Sequence, residues 1–372
     1  MAVSGQELPR APAAKAASHF TVGIRCRGAT QLASTARFRW AILAPRALRA
    51  LTNPRGVFVI RTTIAVAAGL AFAATLPAIS AHAAARDRVF VASYGSDSNP
   101  CTFGSPCKTF QNAVNVVAQG GEVTAIDSAG FGPIAISHAV TITSPNGVEA
   151  GIAAPAPGGS AITITAEAGN NIVLNGLTLD GDNVASTNGI TFSTGGTLTI
   201  LNSAIRNFGS SGIFFQSSDV AQLSVSNTLF VNNGGVGISI AGEASGGTIC
   251  VLDHVVLENN AVGLSVGSFG APVNATVSDS VIANNPGDGI DASGESPTMV
   301  RVMVRASTIA NNGNGLSATN NGAAIRVTRS TITGNGTAWS TTTGGVVTSY
   351  GDNNIDDNTA ANTEPPTPFV YK

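Results

Sequence analysis

Few residues of this 372-residue chain have types and spacings suited to chemistry. Cys101 and Cys107 stand in the stretch YGSDSNPCTFGSPCKTFQNAV, residues 94–114. Their Cys-x5-Cys spacing lacks the second pair of a zinc site and is not the C-x-x-C of a redox pair. They read as a local structural disulfide, and Cys250 reads as a small buried apolar residue. His254 and Asp279, with Asp253, Arg305 and Arg329 nearby in the pattern, could share protons or hold a carboxylate. Two acidic turns could offer oxygen ligands to calcium: NPGDGIDASGE, with Asp288, Asp291 and Glu295, and LDGDN, with Asp180 and Asp182. Neither has the ligand spacing of a calcium loop, so both read as surface acids, and no metal or cofactor is assigned.

What must position these residues is a repeat. The segments LTILNSAIRNFGSSGIFF, LSVSNTLFVNNGGVGISI, CVLDHVVLENNAVGLSV, ATVSDSVIANNPGDGIDA and VMVRASTIANNGNGLSA share one pattern. An alternating apolar pair is followed by a polar position, an apolar residue, one or two Asn, then Gly and a second apolar pair. Gly212, Gly237, Gly263, Gly289 and Gly315 recur at intervals of 25 or 26. Period-two apolar runs of three to five residues mean short strands, and the Asn and Gly breaks mean turns. A unit this short cannot bury its own apolar face, whereas stacked units about 4.8 Å apart can. The expected fold is therefore all-β: a right-handed, single-stranded parallel β-helix over residues 122–351, with about nine coils.

Four inward columns follow from the pattern. They are Leu198/Leu223/Cys250/Ala275/Val302/Ile325, Ile200/Val225/Leu252/Val277/Val304/Val327, Ile205/Phe230/Leu257/Ile282/Ile309/Ile332 and Ile213/Ile238/Leu264/Ile290/Leu316. The Asn at one turn (Asn207, Asn232/Asn233, Asn259/Asn260, Asn284/Asn285, Asn311/Asn312) read as stacked amide ladders, and Ser203, Thr228, Ser280, Ser307 and Ser330 as a structural hydroxyl column. The same register puts His254 and Asp279 about 5 Å apart in adjacent coils, although that column also holds Asn202, Asn227, Ala306 and Arg329. The open end of a solenoid needs a plug. KTFQNAVNVVA, with Phe110, Ala113, Val114 and Val117 at helical spacing, supplies a capping helix, and the disulfide loop feeds it, giving an N-terminal cap over 84–121. Residues 352–372 are left as a tail.

Residues 1–83 hold ten basic residues and one acid, whereas the rest holds nine Lys and Arg against twenty Asp and Glu, a net charge of −11. An acidic body excludes nucleic acid as a partner. Residues 55–83, with Arg55 and Arg61, an apolar run from Thr62 to Leu76 and Ala81-His82-Ala83, have the layout of a cleaved secretory signal. The expectation is export to the periplasm or beyond, with no membrane span after cleavage. Residues 1–54 read as a basic extension, disordered or upstream of the true start.

YGSDSNPCTFGSPCKTFQNAV resembles the G-x-D-x-N-P…P-x-K-T-[FI]-x-x-A pattern that opens pectin-lyase-like β-helix proteins. With GGEV, GFGP and SYGDNNI further on, residues 88–355 resemble exported bacterial right-handed β-helix repeat proteins. That resemblance implies the fold and carries no activity. Polygalacturonase-like members use G-H-G and R-I-K motifs, which are missing here, and Asp356-Asp357 falls past the regular coils. Outward aromatics for sugar stacking come down to Phe208, Phe214 and Trp339, and a polyanion would need a cation or the Arg301/Arg305/Arg326/Arg329 group. With an intact scaffold and no recognisable catalytic constellation, the reading is a protein that binds polysaccharide or cell-surface glycan without cutting it. The alternatives are a divergent, pectate-lyase-like polysaccharide lyase using His254, Asp279 and Arg305, and a structural or adhesin-like envelope module. Oligomeric state is not legible.

Overall fold

The computed structural model describes residues 86–360, except 156–157, 186, 244–246 and 296, together with Pro365. The expected basic extension and signal peptide lie outside the described residues, as does most of 361–372. Within the described residues the chain winds through three parallel sheets of eleven, ten and nine strands, called I, II and III in the order the chain meets them in each coil. Consecutive coils donate to sheet I strands such as Ala221–Ser226, Thr248–Asp253 and Val273–Ser278. Sheet II takes three-residue strands such as Leu229–Val231 and Val256–Glu258. Sheet III takes Ile213–Ser217, Val236–Gly242, Val262–Ser268, Asp288–Ser293 and Asn314–Thr319. The nine strands of sheet III mark nine coils, and the parallel β-helix expected from the repeat is the fold observed.

The register follows the apolar columns residue for residue. Leu223 pairs with Leu198 and Cys250, and Cys250 with Ala275. Phe230 pairs with Ile205 and Leu257, and Leu264 with Ile238 and Ile290. All these side chains are buried in one continuous core. A one-residue slip would turn a whole strand inside out, which is why period-two patterning pins the register so firmly. Burial drives the Cys250 thiol far above its ordinary pKa. Phe192 and Phe215 stack inside, with ring centroids 4.3 Å apart.

The turn between sheets II and III is built from two adjacent Asn columns with different duties. Asn207, Asn232, Asn259, Asn284 and Asn311 adopt positive φ of 53–59°, which Asn tolerates better than most residues. The second column, Asn233, Asn260, Asn285 and Asn312, is buried and continues through Asn335 and Asn358, beyond the expected run. Each Oδ1 accepts the backbone N–H of the equivalent residue one coil earlier, as Asn285 does from Asn260 at 2.9 Å. Each Nδ2 donates to a carbonyl of the earlier coil, as Asn285 does to Leu257 at 3.1 Å. Four amides also donate to the next Asn at 2.8–3.0 Å. The hydroxyl column works alike: Ser280 Oγ accepts from Val255 N, and Ser307 Oγ from Ser280 N. Beside these rows the recurrent glycines mark close approach of backbones. A Cβ on Gly237 would lie 2.7 Å from the carbonyl oxygen of Gly263, and one on Gly263 2.5 Å from that of Gly289.

At the N-terminal end β1 (Arg86–Val91) pairs in parallel with β2 (Val117–Ala125), and α1 (Phe110–Val116) joins them. Phe110, Ala113 and Val114 turn inward, with Phe110 4.9 Å from the Phe131 ring. Val117 is buried but extended, so the helix ends one residue before the expected face does. The opening motif is the fastening of this element. Asp97 accepts from the amides of Lys108 and Thr109, both at 2.9 Å, while Thr109 caps α1 by accepting from Asn112 N. Cys101 and Cys107 form a disulfide with Cα atoms 4.6 Å apart. At the other end the coils run past residue 351. Asn354–Asp356 pairs with Thr331–Thr333, and Asn358 Oδ1 accepts from Asn335 N. Residues 352–360 are thus a continuation of the solenoid and not the tail expected there, because they extend its amide ladder.

Candidate functional site

The proton-handling residues sit at the corner between sheets I and II. Asn202, Asn227, His254, Asp279, Ala306 and Arg329 all take φ of 48–53° there. Left-handed backbone favours short polar side chains, which accounts for the Asn and Asp of this column on conformational grounds. His254 Nδ1 lies 2.9 Å from Asp253 Oδ2, and Asp253 Oδ1 accepts from Ser278 Oγ at 2.7 Å. Arg305 Nη1 donates to Asp279 Oδ2 at 3.2 Å. The hydrogen bond from Ser278, then that from His254, hold the Asp253 carboxyl below its usual range, and Asp253 raises His254 above its own. The structure thus gathers Asp253, His254, Asp279 and Arg305 into an exposed string with a partner for each. Arg329 stands two coils beyond Asp279 in the same column, where it borders a separate depression with Tyr350 and Asp352 and its backbone N–H donates to Asp352 Oδ1. A depression of about 410 Å³ borders His254, lined mainly by Ala204, Leu229, Val256 and the corner Asn202 and Asn227.

The acidic turns behave differently from one another. Asp180 is bound by Arg206 Nε at 2.8 Å, Asn207 Nδ2 and its own loop at Asp182 N. Although burial opposes it, these bonds keep Asp180 below its usual range. Glu295 is exposed at the end of its turn. Asp288 accepts from Asn314 Nδ2 at 2.7 Å. Asp291 faces outward on sheet III, half-buried, and accepts from Ser265 Oγ at 3.3 Å. Burial, then the neighbouring Asp288 carboxylate, push its pKa up. Among the described residues no three His, Cys, Asp or Glu converge as a metal site.

Asp291 belongs to a groove. One outward column of sheet III reads Phe214, Ser239, Ser265, Asp291, Ser317, each paired with the next. Beside it a depression of about 390 Å³ is lined by Phe214, Gln216, Ser239, Glu243, Ser265, Phe269, Asp291 and Ser293, among others. Phe269 is 63% exposed, and its ring lies over Gly267, where a Cβ would meet it at 3.0 Å. Gly267 leaves the space in which this ring approaches the sheet. Gln216 donates to Glu243 on the groove's flank.

Of the three aromatics expected to face solvent, only Phe214 does. Phe208 is buried because it occupies the second Asn column: its backbone N–H donates to Asn233 Oδ1 exactly as later ladder residues do to theirs. Trp339 pairs with Leu316 in an inward column and packs against the core of the last coils. Phe269, Glu243 and Gln216 were not legible as site residues, since the first two lie in turns whose length varies between coils. Arg301 and Arg305 lie on the sheet I strand Val300–Arg305 and Arg326 on its neighbour, away from the groove.

No family model matches the chain, and no curated protein matches it. Among solved structures it is similar to a rhamnogalacturonan lyase, at 13% identity and TM-score 0.45, covering 75% of this chain and 89% of that one. It is similar to pectate lyase Pel9A at 18% identity and TM-score 0.43, covering 74% and 72%. The A-module of the Azotobacter vinelandii mannuronan C-5 epimerase AlgE4 gives 13% identity and TM-score 0.42, covering 68% and 91%. These are likenesses of fold, and the groove alone carries the functional reading. No helix among the described residues is long and apolar enough to cross a membrane.

Proposed function

We propose that this is an exported protein that binds glycan along the outer face of sheet III without cutting it. The observation that carries the reading is the groove in which the Phe214 and Phe269 rings border the hydroxyls of Ser239 and Ser265 on successive rungs, with that of Ser293 to one side. Aromatic faces suit the apolar faces of pyranose rings, and hydroxyls at successive rungs suit their equatorial oxygens. From Phe214 to Asp291 the column climbs three rungs, about 14 Å, room for a short oligosaccharide lying along the axis. The disulfide at the N-terminal end fits an oxidising compartment. The His254 corner shares no lining residue with the groove, so the lyase alternative gains no substrate-binding surface from it.

Affinity electrophoresis in gels cast with neutral, acidic and amino polysaccharides tests the reading. At least one polysaccharide is expected to retard the chain, with Phe269→Ala and Phe214→Ala each weakening retardation about three- to tenfold. Retardation indifferent to both substitutions would remove the groove from the account. Release of new reducing ends from any polysaccharide would replace binding with catalysis.

A further inference from the structure

We infer that the ligand of the sheet III groove is an oligosaccharide carrying free amines, of the glucosamine type, with an ammonium seated against Asp291. The inference rests on the glycan reading above and adds the ligand's charge. The lining holds two carboxylates, Glu243 and Asp291, and no Lys, Arg or His. Asp291 is half-buried, and the groups that touch it are the hydroxyls of Ser265 and Ser317, with a third carboxylate, Asp288, beside it. A carboxylate so placed has lost much of its water and gained no cation, so an arriving ammonium restores favourable charge pairing where a uronate would add a further repulsion. Glu243 follows the strand two coils before that of Asp291, roughly 10 Å away along the axis and, four residues beyond the Ser239 register, about 13 Å along the strand direction. Two acids so placed can meet amines on units of one chain that crosses the groove obliquely. The arginines that could attract a polyuronate, Arg301, Arg305 and Arg326, stand on sheet I instead.

Titration calorimetry of the chain with the trimers of glucosamine, N-acetylglucosamine and galacturonate, at near-physiological salt, decides the matter. The expected order is glucosamine first, N-acetylglucosamine weaker and galacturonate weakest. Asp291→Asn should weaken the glucosamine trimer about tenfold and leave the N-acetylated trimer within about twofold. Glu243→Gln should act in the same sense, providing a second variant should Asp291→Asn melt early. Asp87→Asn, which removes an equal charge from β1 at the N-terminal end, should change neither affinity. Equal losses in Asp87→Asn and Asp291→Asn would reduce the effect to attraction by an acidic body and overturn the inference. Tighter binding of the N-acetylated trimer, unaffected by Asp291→Asn but sensitive to Phe269→Ala, would overturn the amine while leaving the glycan groove standing. Preference for galacturonate would overturn it in favour of the arginine face. Binding of none of the three, together with no retardation in any polysaccharide gel, would overturn both readings.

Discussion

Asn284 and Asn285 are neighbours of the same type with opposite surroundings, and replacing each by Ala separates the two Asn columns. Asn285 is fully buried. Its Oδ1 accepts from Asn260 N at 2.9 Å, and its Nδ2 donates to Leu257 O at 3.1 Å and Asn312 Oδ1 at 2.8 Å. Asn285→Ala strips a partner from one buried N–H and two buried acceptors. A buried group left wanting costs about 1–3 kcal/mol, and Asn312 Oδ1 keeps a second donor in Asn285 N, so two groups are orphaned and the loss is about 2–6 kcal/mol. Asn284 has φ of 57°, and its Nδ2 meets Glu258 Oε1 at 2.9 Å near solvent. Asn284→Ala puts Ala in left-handed backbone and loses an exposed bond, costing about 1–2 kcal/mol. Urea denaturation of the chain, followed by circular dichroism and read from midpoint and slope together, measures both. A loss for Asn285→Ala no larger than that for Asn284→Ala would refute the ladder argument. Glycan affinity should be the same in both variants, since neither Asn lines the sheet III groove.

Two further outcomes follow from local geometry. Gly267→Ala places a methyl 3.0 Å from the Phe269 ring and should lift that ring off the sheet, weakening polysaccharide retardation about threefold with little change in melting temperature; retardation equal to the unmodified chain would show that the ring's position is immaterial. His254, bonded to Asp253, should titrate by NMR above the ordinary histidine value of about 6.5, and Asp253→Asn should bring it back down. The sign is definite: the pairing stabilises the fold below the unfolded histidine's pKa and its contribution fades as pH rises through the raised folded value, while the depressed Asp253 loses its share as pH falls through its own folded value. A midpoint at or below the ordinary value in the unmodified chain would break this pairing.

The fold was legible because a strand's two-residue period and a 25- or 26-residue recurrence are both written in side-chain type. Leu223, Cys250 and Ala275 could be aligned without coordinates, and they pair as aligned. The amide ladder was legible only where two Asn stood together. At TITGNG the first place is taken by Gly334, which supplies positive φ as Asn does, so the buried Asn335 falls outside the paired pattern. Phe208 misled for the converse reason, an apolar side chain in a polar column. The groove was half legible. Phe214 and Asp291 were singled out for unrelated purposes, and only the register of sheet III shows that they belong to one outward column. Phe269 was beyond reach, because its position depends on the path of a turn and on the missing side chain of Gly267. His254 and Asp279 illustrate the limit from the other side: types that suggest proton transfer are equally the types that a left-handed corner accepts.

The buried amide row also gives the solenoid a direction of growth. Each Oδ1 reaches back to the coil before it, so the N–H of one coil is satisfied only once the next coil is laid down. An orphaned buried N–H is tolerated less than an under-used carbonyl-type oxygen. Trimming whole coils from the C-terminal end therefore leaves a backbone N–H without its acceptor at the new terminus, whereas trimming from the N-terminal end takes backbone partners from side-chain atoms, the Oδ1 and Nδ2 of the next Asn. Elongation from the α1 end closes each vacancy as it opens, which makes the order of synthesis and the order of satisfaction the same.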